Sequence, residues 1–176
     1  MKFSAIFRAA CAAVLVAAAG EARAADPAQL TFNAGLFDLV GHHKQEFQGG
    51  VEYRFGHGLF DGDRGDVFRG LKPNVGFMAN SASAYFLYAG FAAPLWFDGG
   101  RWELVPAAGM GAYHKGNGID LGGTFEFNLS LGLSYAVTRN TRLGIALGHI
   151  SNANTHRFNP GANSALVTFS WAFDGP

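Results

Sequence analysis

A histidine and a serine two positions apart, His149 and Ser151, are the residues of this sequence whose types and spacing fit nucleophilic catalysis. An imidazole can act as general base for a neighbouring hydroxyl, which then attacks an electrophilic carbonyl carbon. Residues i and i+2 of a β-strand lie on one face roughly 7 Å apart. A strand that carries this pair could therefore support acyl transfer through a covalent intermediate.

The alternation around this pair extends to an asparagine in the next run. Apolar residues occupy the odd positions of 143–151 until His149 and Ser151 interrupt them, and the odd positions of 165–173 lead back to Asn163. On neighbouring antiparallel strands the three polar side chains would share one face. The alternative is that they lie beyond the strands, in the connecting loop, and the His-x-Ser spacing by itself does not separate these readings.

Two strands do not form a stable sheet by themselves, and the chain contains six further runs that could pair with them. The runs have period-two patterning and are separated by polar or glycine-rich turns, which is typical of strands and hairpins. No stretch reaches 18 consecutive apolar residues, and 56–70 is too charged and glycine-rich to be a strand. The eight runs are 30–40, 46–55, 71–79, 84–97, 101–114, 124–136, 143–151 and 165–173.

The run 124–136 shows which face points outward. Its large residues alternate with glutamate, asparagine, serine and glycine, a set that suits a cramped interior better than an open aqueous surface. Eight strands enclose a lumen just wide enough for side chains. The sequence therefore predicts an all-β fold, an eight-stranded antiparallel transmembrane β-barrel, with a secreted soluble β-domain as the alternative. Charged residues assigned to a polar network in the lumen are Glu52, Arg54, Glu103 and Glu126.

The first 24 residues have the pattern of a secretory signal peptide. Basic residues precede an apolar run at 9–19, and a small-x-small cleavage site follows at 22–24. An N-terminal helix of the domain is the alternative for this segment. Cleavage after Ala24 would leave 25–176 as a single barrel domain.

Composition excludes several classes of function. The single cysteine lies in the predicted leader, so no disulfide or thiol chemistry is expected of the exported chain. Thirteen basic residues balance thirteen acidic ones, which leaves nucleic-acid binding without an electrostatic basis. The serine chemistry proposed above requires neither a metal nor a cofactor, and we predict none.

Two motifs in the last thirty or so residues resemble a known enzyme family. The sequence H-x-S-N at 149–152, followed by N-P-G-x-N at 159–163, is similar to the PagL-type lipid A 3-O-deacylases. The resemblance implies an eight-stranded barrel in the outer membrane of a Gram-negative bacterium, with a Ser-His-Glu triad on its lipid-facing wall. Such an enzyme removes an ester-linked acyl chain from the lipid A of lipopolysaccharide.

The resemblance carries over onto four positions. It implies that His149 is the general base, that Ser151 is the nucleophile, and that Asn152 stabilises the oxyanion, together with backbone N–H groups around residues 153 and 154. Asn163 stands where the family has glutamate. A neutral amide can orient the imidazole, but it stabilises the imidazolium less than a carboxylate does.

Asn163 is also compatible with a second class of enzyme. The outer-membrane phospholipases A also pair His-x-Ser with an asparagine, but they are twelve-stranded barrels, and 176 residues are too few for twelve spanning strands. The deacylase is therefore the first hypothesis and a phospholipase-type esterase the second. A non-catalytic small barrel with a structural role is the third.

The expected partners follow from the first hypothesis. They are lipopolysaccharide as substrate and the surrounding outer-membrane lipid. His156 and Arg157, beside the predicted site, would bind lipid A phosphates, since arginine suits bidentate recognition of phosphate. The alternative is that they are solvated charges of a surface loop. A homodimer is a further partner that the sequence allows.

Overall fold

A computed structural model describes residues 26–40, 45–62 and 65–173, and the predicted leader at 1–24 lies outside this part of the chain. Within these ranges no helix is long and apolar enough to cross a membrane. The strands are β1 Gln29–Phe37, β2 Glu46–Arg54, β3 Lys72–Asn80, β4 Tyr85–Ala92, β5 Leu95–Phe97, β6 Trp102–His114, β7 Phe125–Ala136, β8 Thr141–Ser151 and β9 Ala162–Ala172.

All strand pairs are antiparallel, and the sheet closes on itself. Strand β1 pairs with both β2 and β9, and the pairing of β4 with β6 completes the ring. Strand β5 continues the line of β4 along the same neighbour β6, so nine strand segments form an eight-stranded barrel. The predicted fold class is confirmed. Closure pairs the backbone groups around the ring, which is what a β structure needs in hydrocarbon.

The fourth run differs from its prediction. The sequence predicts one strand over 84–97, but the structure divides it into β4 and β5 at Ala93 and Pro94. Proline has no N–H to donate to the ladder, so it interrupts a strand at this point. The Ala93 N–H still reaches the carbonyl of Pro106 at 2.8 Å, which keeps the two pieces on one track beside β6.

The large side chains point outward, as the alternation predicted. On β8 the side chains of Leu143, Ile145 and Leu147 are 53%, 60% and 60% exposed, while the intervening positions are glycine and alanine. A soluble protein would bury these leucines and isoleucines in its core. The outer wall is therefore apolar and suited to lipid, and the small residues face a narrow interior.

A charged network fills the interior at the end where β6 begins. The buried Glu103 carboxylate accepts hydrogen bonds from Arg54 and from the indole N–H of Trp96, at 2.5 and 3.0 Å. Arg142 forms an ion pair with its other oxygen at 3.3 Å. Two of the residues predicted to form a lumen network, Arg54 and Glu103, thus lie together in this cluster.

Apolar side chains close the interior at the opposite end, where β8 ends and β9 begins, here called the site end. Two of them, Ile119 and Leu121, come from the 115–124 loop between β6 and β7 and lie over the barrel opening. Glu126 is fully buried at the same end, and neither of its carboxylate oxygens has a hydrogen-bond partner among the described residues. The whole cluster is Phe37, Met78, Ala84, Phe86, Tyr113, Ile119, Leu121, Ile150 and Ala162.

Candidate active site on the outer wall

Strands β8 and β9 bring a histidine and an asparagine together on the outer wall. His149 and Asn163 are directly opposite each other in the ladder, and the ring Nδ1 lies 2.9 Å from the side-chain Oδ1. Because the amide oxygen can only accept, the ring donates its Nδ1–H, and Nε2 is left as the proton acceptor. This is the tautomer that a general base requires.

Ser151 is the last residue of β8 and lies on the same face as His149. Its neighbour in the ladder is Phe127 of β7, so an aromatic ring flanks the hydroxyl on the lipid-facing side. In the part of the chain that the structure describes, no hydrogen bond joins Ser151 and His149. In known hydrolases, such contacts are often long without substrate and shorten when it binds.

Asn152 follows Ser151 directly in the chain, but its side chain lies inside the protein. Its side chain is fully buried, and its amide donates to the carbonyl oxygens of Leu121 at 2.6 Å and Phe158 at 2.8 Å. Its backbone N–H donates to Asn159 Oδ1 at 3.0 Å. The residue predicted as oxyanion donor thus has each N–H group occupied, and it ties the 115–124 loop to the 152–161 loop.

Two backbone N–H groups beside Ser151 remain available. Ala153 and Asn154 have φ values of 50° and 62°, a left-handed conformation that is uncommon for residues other than glycine. Neither N–H donates to an acceptor among the described residues. Consecutive N–H groups held in an unusual turn form a concave donor surface suited to a negative oxygen.

The predicted phosphate-binding residues lie on the exposed 152–161 loop. The ring of His156 rests against Gly123 of the neighbouring loop, where an added Cβ would come within 2.2 Å of Nε2. In that neighbouring loop, Lys115 pairs with Asp120 at 2.7 Å, and this hydrogen bond holds the pKa of the Asp120 carboxyl below its usual range. Arg157 is exposed next to His156, so both are accessible at the surface of the loop.

Sequence reasoning found the polar residues of the wall but did not predict the contact between the two loops behind them. The carbonyl of Leu121 and the side chain of Asn152 are 31 residues apart, and no local pattern connects them. The Asn-Pro-Gly sequence at 159–161 is a loop signal that marks a change of structure before β9.

Fold and site together define a class of protein. A closed antiparallel barrel with an apolar exterior is a transmembrane β-barrel. The outer wall of this one carries Ser151, His149 and Asn163 on one face.

The family follows from comparison with known proteins. The family model "Lipid A 3-O-deacylase (PagL)" matches residues 46–172, a range that contains eight of the nine strands and all three wall residues. This chain belongs to that family, and the resemblance predicted from the two motifs is confirmed. A curated relative, the lipid A deacylase PagL of Bordetella bronchiseptica, is 26% identical over 111 residues, 58% of this chain and 62% of the relative. The match therefore spans less than two thirds of that protein.

Solved structures share the architecture. The crystal structure of the outer membrane enzyme PagL superposes with a TM-score of 0.61 at 15% identity, over 82% of this chain and 99% of that one. A barrel from the de novo design of transmembrane β-barrels superposes with a TM-score of 0.55 at 14% identity, over 83% and 96%. At such identities the likeness shows the fold alone. A designed barrel can share it, so the activity has to be argued from the site.

Proposed function

We propose that this protein is an outer-membrane lipid A 3-O-deacylase of a Gram-negative bacterium, a serine esterase that hydrolyses an ester-linked acyl chain of lipopolysaccharide. The observation that carries the proposal is the 2.9 Å contact between His149 and Asn163, on the face and strand that also hold Ser151. Membership of the deacylase family supports the same reaction.

The reaction follows from the residue types. His149 Nε2 accepts the proton of the Ser151 hydroxyl as Oγ attacks the ester carbonyl carbon. When the tetrahedral intermediate collapses, His149 returns that proton to the departing sugar oxygen, and the acyl chain stays on Ser151. A water molecule, deprotonated by the same ring, then releases the fatty acid. No step uses a metal or a cofactor.

Oxyanion stabilisation is assigned to the backbone N–H groups of Ala153 and Asn154. Their position next to the nucleophile supports the assignment, since donors aimed at the developing charge contribute roughly 3 kcal/mol each. Asn152, the donor predicted from the sequence, supports this turn from beneath through its bonds to Leu121 and Phe158.

The position of the site suits an amphiphilic substrate. Polar groups on a lipid-facing wall are costly and indicate function by default. Acyl chains of lipid A would lie along the apolar wall below Ser151, beside residues such as Phe127 and Leu129. The phosphates would lie above it, within reach of His156 and Arg157.

Mass spectrometry of lipid A from expressing cells tests the proposal. Wild-type protein should remove one hydroxyacyl chain, and Ser151→Ala should remove none while still running as a heat-modifiable folded barrel. Ser130→Ala, on the interior face of β7, is the matched control and should retain activity.

Other outcomes favour the alternatives. Unchanged lipid A together with released lysophospholipid would support a phospholipase-type esterase, and no change in either lipid would support a non-catalytic barrel. Cross-linking in intact membranes tests the homodimer separately, because the proposed triad is contained in one chain.

A further inference from the structure

We propose that Gly161 is a positioning residue for the catalytic histidine, because its lack of a side chain reserves the space that the working edge of the His149 ring occupies. The inference rests on the proposed function and deepens it. Gly161 belongs to the Asn-Pro-Gly segment that leads into β9, two residues before Asn163.

The distances are specific to one edge of the ring. A Cβ built on Gly161 would lie 2.9 Å from His149 Cε1 and 3.4 Å from Nε2. Carbon atoms in contact normally stay about 3.5–4.0 Å apart. A side chain at this position would therefore have to displace either the His149 ring or the backbone at Gly161 by about half an ångström or more.

The ring is the part that would move. Gly161 lies between Pro160, whose φ angle is fixed by its own ring, and Ala162, which is buried and begins β9. The imidazole is held on its other side by the hydrogen bond from Nδ1 to Asn163. A side chain at 161 would tilt the ring about that bond, which moves Nε2, the atom that exchanges the proton, more than Nδ1.

Backbone conformation offers a competing reason for a glycine here, and the chain contains a control for it. Gly161 has a φ of +63°, in the left-handed region that disfavours residues with a Cβ. Gly99 has nearly the same φ, +65°, but a Cβ there would meet nothing within 4 Å. Gly99→Ala therefore reproduces the backbone strain of Gly161→Ala without crowding His149.

The experiment compares purified, folded variants in deacylation of lipopolysaccharide. Gly161→Ala should lower kcat about tenfold to a hundredfold, as expected for a misplacement of up to about 1 Å, with KM within about twofold. Gly99→Ala should retain wild-type kcat. Gly161→Asn should be less active than Gly161→Ala although asparagine tolerates the left-handed region better, because its side chain is larger.

Equal kcat values for Gly161→Ala and Gly99→Ala would overturn the inference, and so would Gly161→Asn being the more active of the two. The rate at which a fluorophosphonate labels Ser151 gives a readout that does not depend on lipid A. If wild type is labelled but does not deacylate lipid A, the proposed substrate fails, while a slower labelling of Gly161→Ala would still support the positioning role. If Ser151 in wild type is not labelled, both proposals fail.

Discussion

At the scale of the residue, the third member of the proposed triad is a neutral amide. Asn163 fixes the ring of His149 and its tautomer through the 2.9 Å contact. It carries no charge, so in the proposed mechanism it does little for the imidazolium that would form as Ser151 attacks. A carboxylate at this position would stabilise that imidazolium more.

Asn163→Asp tests this point. Aspartate has the same size, and its negative charge stabilises the imidazolium that forms in the proposed reaction. Because the tautomer is already correct, we expect a modest gain, about tenfold in kcat. Steady-state deacylation kinetics in detergent measure it. An unchanged kcat would show that Asn163 does not act through His149, and the double variant with Ser151→Ala should show no activity.

At the scale of the element, the two loops at the site end support the strand ends that carry His149, Ser151 and Asn163. Asn152 bonds to carbonyl groups in both loops, and its own backbone N–H is held by Asn159. The turn after Ser151 thus depends on the buried Asn152 amide, which joins the 115–124 loop to the 152–161 loop. Its conformation is set by the packing of the loops as much as by β8.

Asn152→Asp should loosen this connection. The carboxylate matches the asparagine in size but cannot donate, so the carbonyls of Leu121 and Phe158 lose their donor. The loss at the buried Leu121 carbonyl costs about 1–3 kcal/mol. We expect faster protease cleavage within 152–161, together with loss of activity. Mass spectrometry of the fragments locates and times the cleavage. Asn154→Asp changes the same chemical group at an exposed position and should remain resistant. Equal cleavage of both variants would contradict the anchoring role.

At the scale of the whole molecule, the interior is stabilised differently at its two ends. The site end is closed by apolar side chains, and the other end by charges gathered around Glu103. A buried carboxylate between two guanidinium groups is sensitive to the loss of one member, because the charges left behind are unpaired. His149 and Ser151 lie at the end of β8, whereas Arg142 of the charged cluster lies at its start.

Glu103→Gln should therefore destabilise the barrel without changing the chemistry. Arg54 and Arg142 would lose their common partner, and we expect about 3–5 kcal/mol lower unfolding free energy. Urea titration, followed by the gel shift between folded and unfolded barrel, measures it. Asp98→Asn breaks the exposed pair with Arg101 and should cost under about 1 kcal/mol. A Glu103→Gln barrel as stable as the control would contradict this account.

The sequence alone predicted the barrel and the outward placement of His149 and Ser151. In a strand, odd and even positions point to opposite faces, so the parity of His149, Ser151 and Asn163 places them on the same face as the neighbouring leucines. The same rule indicated eight strands. It did not place the interruption at Pro94, because the weak alternation of that run did not show where the ladder breaks.

Tertiary structure decided what lies around His149, Ser151 and Asn163. Only the folded chain brings Leu121 to Asn152 and Gly161 to the edge of the His149 ring, and these contacts join loops whose conformations no periodic pattern encodes. The face on which a strand residue lies depends on its position in the chain, which can be counted from the sequence. The partner of a loop residue depends on how separate segments pack, and that is settled only when the barrel has closed.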